Sequence, residues 1–151
     1  CIKHGGIPFE DYEVVKDRMN TLMDHLDALN RPKTIAHIDS NVDNFLFLPD
    51  GDLKLIDWEY CGMCDPLIDV AVCGIYSYLN EEQMDRLIHI YLHREPTEER
   101  TVIYSYVALG GFLWSLWAVY KSELGEEFGE YTIIMYRYAK RYYRRLHEQI
   151  H

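Results

Sequence analysis

Three side chains carrying a base or ligand oxygens recur in this chain at a spacing that suits phosphoryl transfer. His37-Ile38-Asp39-Ser40-Asn41-Val42-Asp43-Asn44 has the form H-x-D-x-x-x-x-N, and Leu55-Ile56-Asp57-Trp58-Glu59 follows it after two short apolar runs. Such a reaction needs one carboxylate to accept the proton of the attacking hydroxyl. It also needs an amide oxygen and a second carboxylate to hold the metal ions that bridge the nucleotide phosphates, and oxygen ligands suit magnesium. In this reading Asp39 is the base, Asn44 and Asp57 are the Mg2+ ligands, and His37 orients the loop. The four intervening residues let Asp39 and Asn44 point into one cleft from opposite ends of a loop. Loop polars also occur simply to satisfy backbone groups, but that leaves Asp57, placed in an apolar run at the right distance, without a reason.

These residues must be positioned by the elements around them. Val15, Met19, Leu22, Met23, Leu26 and Leu29 step by three and four, so the stretch from about Phe9 to Leu29 predicts an amphipathic helix closed by Asn30 and Pro32. Thr34 to Ile38 alternates apolar and polar residues. Phe45 to Leu48 and Leu53 to Ile56 form a hairpin around Pro49-Asp50-Gly51-Asp52, whose fixed proline φ and permissive glycine favour a tight turn. From Asp65 onward the pattern is helical. Asn80-Glu81-Glu82-Gln83 has the spacing of a capping box, Pro96-Thr97-Glu98-Glu99 opens another helix, and Tyr131 to Ile150 predicts a last one with Tyr131, Ile134, Met135, Tyr138 and Tyr142 on one face. The expected fold is mostly α with one small β-hairpin, in a single domain over residues 1–151.

Composition agrees with a buried core, since 48% of the 151 residues are hydrophobic and 14% aromatic. The net charge of -10 argues against a nucleic-acid partner and for a cationic ligand or a metal ion. Lys140, Arg141, Arg144 and Arg145 read as a solvated helix face near a C-terminus, where cations oppose the helix dipole. Four scattered cysteines and no visible signal peptide point to a reducing cytoplasm. A chain that opens on Cys1 suggests a fragment.

Kinase catalytic loops take the H-x-D-x-x-x-x-N form. Beyond it, Ile56-Asp57-Trp58-Glu59-Tyr60 and Asp65-Pro66-Leu67-Ile68-Asp69-Val70-Ala71 resemble the choline and ethanolamine kinases and the aminoglycoside phosphotransferases. There the metal-binding aspartate precedes a helix carrying a D-x-A motif. The resemblance implies the C-terminal lobe of a protein-kinase-like (α+β) fold, ATP as phosphoryl donor, and a supporting role for Asp69, which would brace the catalytic loop. Gly111-Phe112-Leu113-Trp114-Ser115-Leu116-Trp117-Ala118 and the later Phe128-Gly129-Glu130-Tyr131 are similar to the choline kinase pattern of two tryptophans three apart, then a tyrosine on the next helix. That implies an aromatic cage of Trp114, Trp117 and Tyr131 for a quaternary ammonium. Glu59 and Tyr60 would add a negative and an aromatic wall. No glycine-rich phosphate loop or lysine-bearing strand precedes His37, so the N-terminal ATP-binding lobe is expected to be missing and the chain inactive alone.

Other readings compete. Val102 to Tyr120 carries no charge over nineteen positions, so length alone permits a transmembrane helix, although glycines, serines and tyrosines dilute it. Cys61-Gly62-Met63-Cys64 is a C-x-x-C pair, read here as incidental thiols because no second ligand pair appears. Asp39-x-Asn41-x-Asp43 lacks the Gly and Glu of a calcium loop. His89, His93 and His147 read as helix polars. Ethanolamine, thiamine, homoserine or an aminoglycoside could replace choline as acceptor, and a non-catalytic choline-binding module is the rival from a different class.

Overall fold

The computed structural model describes residues 6–148; Cys1 lies outside them. The chain divides into two compact units, one made of the residues up to Leu29 together with those from Val107 on, the other of Asn30–Tyr106.

In the first unit, α1 (Tyr12–Ala28) buries Val15, Met19 and Leu22, three positions of the predicted stripe. It begins after Asp11 rather than at Phe9. Asn30 takes a left-handed φ of 44° just past its end, a conformation that asparagine tolerates better than most residues. The unit also holds most of α4 (Glu98–Ser122) and all of α5 (Tyr131–Glu148). Met135, Tyr138 and Tyr142 are buried on the predicted face of α5. Gly111 of α4 sets a close approach to α5, because a Cβ there would stand 2.6 Å from the Met135 carbonyl oxygen and 2.7 Å from the Tyr138 Cβ.

The second unit contains the strands. β1 (Thr34–Ala36), β2 (Phe45–Phe47), β3 (Leu53–Leu55) and β4 (Gly62–Cys64) form two antiparallel pairs. The β2–β3 hairpin is the predicted one, with Phe45 opposite Leu55. The second pair, β1 with β4, places Ile35 opposite Met63 and was not foreseen from the sequence. It matters for function, since it fixes the start of the catalytic-type loop against the segment that follows Asp57. α2 (Leu67–Tyr76) and α3 (Glu81–Leu92) complete the unit. The Asn80 side chain accepts from the Gln83 N–H while the Gln83 side chain accepts from the Asn80 N–H, each at 2.9 Å, so the capping box forms as its spacing demands.

The start of α4 departs from that pattern. Glu99, not the residue three past Thr97, accepts from both the Thr97 N–H and hydroxyl and also pairs with Arg94. The Arg94 guanidinium holds the Glu99 carboxyl far below its usual value, at about 2. α4 is long and apolar enough to cross a membrane by length and composition, but 61% of its most apolar window is buried inside the protein. Val102, Ile103 and Tyr104 are buried in one unit, and Val107, Ala108, Ala118 and Val119 in the other.

Candidate active site

The loop between β1 and β2 is held from below by α2. Asp69, in the first turn of that helix, accepts the His37 N–H on Oδ2 at 2.9 Å and the Ile38 N–H on Oδ1 at 2.7 Å. The buried Ser40 hydroxyl donates to the Asp69 carbonyl at 2.7 Å. One residue thus grips the loop at three positions through its carboxylate and its backbone carbonyl. Charge-assisted bonds from a carboxylate to backbone N–H groups are among the stronger neutral-pH contacts available to a loop.

Those bonds stabilise a strained backbone. Ile38 sits at φ 68°, an uncommon conformation for any residue with a side chain and a true outlier for a β-branched one. Asp57 is left-handed too, at φ 64° and ψ 60°. Such strain persists only where surrounding contacts over-determine it, and it concentrates at functional sites. Here one strained residue directly precedes Asp39 and the other is Asp57 itself.

Asp39 and Asn44 come together. The Asn44 amide nitrogen donates to the Asp39 carbonyl at 2.9 Å and to its carboxylate Oδ2 at 3.3 Å. The Asp39 carbonyl also accepts from the Asn41 N–H at 2.7 Å, and Asn41 caps the 3-10 turn Val42–Asn44. Because two acceptors on Asp39 fix which end of the amide is nitrogen, the Asn44 oxygen is turned away from Asp39.

Asp57 is tied to the same loop through its neighbour. The Ile56 N–H donates to the Asn44 carbonyl at 2.9 Å, and the Ile56 carbonyl lies 2.7 Å from His37 Nε2. That contact requires hydrogen on Nε2, while the buried Nδ1 has no partner among the described residues. His37 therefore links the two halves of the site, and the Trp58 ring packs edge-on against it at 4.8 Å. Asp57 itself is exposed, as are Glu59 and Tyr60 in the 3-10 turn that follows.

The donor set fits magnesium rather than a softer metal. No cluster of three His, Cys, Asp or Glu side chains that could hold a metal occurs among the described residues. One amide oxygen and one exposed carboxylate suit an ion that keeps waters and takes its remaining ligands from phosphates. Cys61, Cys64 and Cys73 are free. Since Gly62–Cys64 is extended strand at about 3.3 Å per residue, Cys61 and Cys64 stand too far apart for a disulfide without backbone movement.

The aromatic residues form a chain of rings in the first unit. Trp114 and Trp117 meet at 5.7 Å and 83°, Trp117 meets Phe128 at 5.1 Å and 72°, and Phe128 meets Tyr131 at 6.1 Å. Sequence reasoning quoted Phe128 but gave it no role. The structure makes it the ring that joins Trp117 to Tyr131. Lys121 Nζ lies 5.6 Å from the centre of the Trp117 ring and donates to Glu126 at 2.5 Å. This aromatic face already attracts a cation.

The two short strand pairs and the H-x-D-x-x-x-x-N loop braced from a D-x-A helix accompany a family match: the chain belongs to the phosphotransferase enzyme family, whose sequence profile matches residues 4–104. Among individual proteins, the choline kinase LicA from Streptococcus pneumoniae superposes with a TM-score of 0.77 at 34% identity, over 92% of this chain and 50% of that one. LicA in complex with AMP gives 0.78 at 32% identity, over 93% of this chain and 49% of that one. Protein LicA of Haemophilus influenzae is 30% identical over 126 residues, 78% of this chain and 47% of its own length. The chain thus spans about half the length of these relatives. The fold is that of the C-terminal lobe of a choline kinase-like protein.

Proposed function

We propose that the protein containing this chain transfers the γ-phosphoryl group of ATP to the hydroxyl of choline. The observation that carries this reading is the Asp39–Asn44 contact, held in place by Asp69 on one side and by the His37–Ile56 link to Asp57 on the other. The likeness to choline kinases, together with a solved LicA complex that contains AMP, supports choline as acceptor and an adenine nucleotide as donor.

In the reaction the choline oxygen attacks the γ-phosphorus, a new P–O bond forms, and the bond from that phosphorus to the β,γ-bridging oxygen breaks as ADP leaves. Asp39 takes the hydroxyl proton as the bond forms and later gives it to solvent. Positioning and charge stabilisation supply most of the acceleration in such transfers. Asn44 and Asp57 would hold Mg2+, which when bound neutralises charge on the phosphates. His37 and Asp69 act on the loop rather than on the substrate. Trp114, Trp117 and Tyr131 receive the trimethylammonium group, which forms no hydrogen bonds and is recognised by ring faces. Glu59 and Tyr60 are assigned as secondary contacts to the cation. The N-terminal lobe that anchors ATP belongs to the longer protein, and the reaction takes place in the cytoplasm.

The test is an acceptor panel. The full-length protein is assayed for ATP consumption with choline, ethanolamine, thiamine, homoserine and aminoglycosides, and choline should give the highest kcat/KM. Turnover confined to an aminoglycoside, or to thiamine or homoserine, would replace choline with that acceptor and leave the phosphotransferase assignment standing.

A further inference from the structure

The basic cluster of α5 was read from the sequence as a solvated helix end, but its position in the fold calls for a different account. In a chain of net charge -10, Arg137, Lys140, Arg141, Arg144 and Arg145 crowd one helix. Compensation of the helix dipole covers only the last turn, where Arg145 and His147 lie. Lys140 and Arg137 lie about one and about two turns before it.

Arg137, Lys140 and Arg144 follow one another at i, i+3 and i+7, the spacing of a single helix stripe, and like charges at such spacing weaken a helix. The stripe, with Arg141 beside it, lines a cavity of about 650 Å3 whose other wall comes from the segment before α1. There Phe9 stacks on Tyr136 with ring centres 3.7 Å apart. Glu10 and Asp11 are the two carboxylates that line it, and Asp11 is already spent on Lys140 and on the Tyr136 hydroxyl. Those contacts, the Lys140 one foremost, hold the Asp11 carboxyl below its usual value. Among the described residues no carboxylate pairs with Arg137 or Arg144. A second cavity of about 400 Å3 shares Lys140 and Arg144 with the first and continues along α5 to His147, with Arg18 of α1 on its wall.

We propose that this groove is a binding site for a small polyphosphate-bearing anion. Guanidinium forks match phosphate oxygens in pairs, and two cavities sharing a cationic wall suit an elongated ligand with several phosphate groups. The volume of the larger cavity falls within the range of small-molecule sites, and the Phe9–Tyr136 wall offers an apolar side to a ligand that has one. The site is made from α5, the chain before α1 and Arg18 of α1, and none of its residues belongs to the catalytic-type loop or to the ring chain.

The experiment uses inorganic tripolyphosphate as the probe. Its binding to the full-length protein is measured by calorimetry at low salt with a chelator present, so that metal-dependent nucleotide binding does not contribute. Arg137→Gln with Arg144→Gln should weaken binding at least tenfold, each single change should weaken it by less, and Arg86→Gln, exposed on α3, should leave it within twofold. Tripolyphosphate binding that is absent, or that is untouched by the double change, overturns the proposal. So does Arg137- and Arg144-dependent binding to vesicles of anionic phospholipid by a protein that ignores tripolyphosphate, which would assign the stripe to a membrane surface.

Discussion

Asp69 ties the loop after β1 to α2 through a single residue. Its carboxylate oxygens hold the His37 and Ile38 N–H groups while its carbonyl holds Ser40, so Asp69→Asn, which keeps the shape but loses an acceptor, should loosen the loop. The expected result is a large fall in kcat with little change in choline KM, measured by steady-state kinetics on the full-length protein. Trp117→Ala should do the reverse, raising choline KM about two- to thirtyfold for the loss of a cation–π contact, with a smaller change in kcat. At this scale the sequence was informative about types and spacing: it named Asp39, Asn44, Asp57 and Asp69 as candidates, and the structure brings Asn44 onto Asp39 and Asp69 onto the same loop. It said nothing of the left-handed Ile38, since no residue preference marks a β-branched side chain for positive φ. Nor could it show that His37 reaches the Ile56 carbonyl, a contact made by a backbone atom whose position depends on the hairpin between them.

Helices were legible where their signals are local. The Asn80 capping box is written in four consecutive residues, and Asn80→Ala should cost about 0.5–2 kcal/mol in chemical denaturation. The β1–β4 pair was not legible, because each strand is three residues long and the partners are joined only by tertiary structure. Gly111 has a comparable origin. In sequence it merely dilutes an apolar helix, whereas in the fold it lets α4 touch the α5 backbone. Gly111→Ala should therefore destabilise the protein by about 1–3 kcal/mol through overpacking against groups that cannot move aside. Gly74→Ala meets only the flexible end of Met84 and should cost less. The Arg94–Glu99 pair at the start of α4 gives a pH signature. A folded-state carboxyl lowered from 4.5 to about 2 contributes stability that is complete above about 4.5 and is lost as pH falls towards 2. The stability gap between the protein and its Glu99→Gln variant should be largest near neutral pH and close over that interval in acid denaturation.

For the whole molecule, composition and charge set the class of fold and excluded little else. The apolar stretch of α4 fits the length of a bilayer, and only burial of the helix within the fold accounts for its apolarity without one. The acidic balance fits a cationic acceptor and a metal ion, yet the basic stripe of α5 runs against it and takes on meaning only beside Phe9 and Asp11. The account rests most heavily on Asp39 as the group that takes the acceptor proton. The direct measurement is phosphocholine formation from ATP and choline by the full-length protein and its Asp39→Asn variant, followed by phosphorus NMR with nucleotide binding checked in parallel. A loss of about a hundred- to ten-thousandfold in turnover with ATP binding retained is the predicted result. An Asp39→Asn protein that makes phosphocholine at close to the original rate would contradict it.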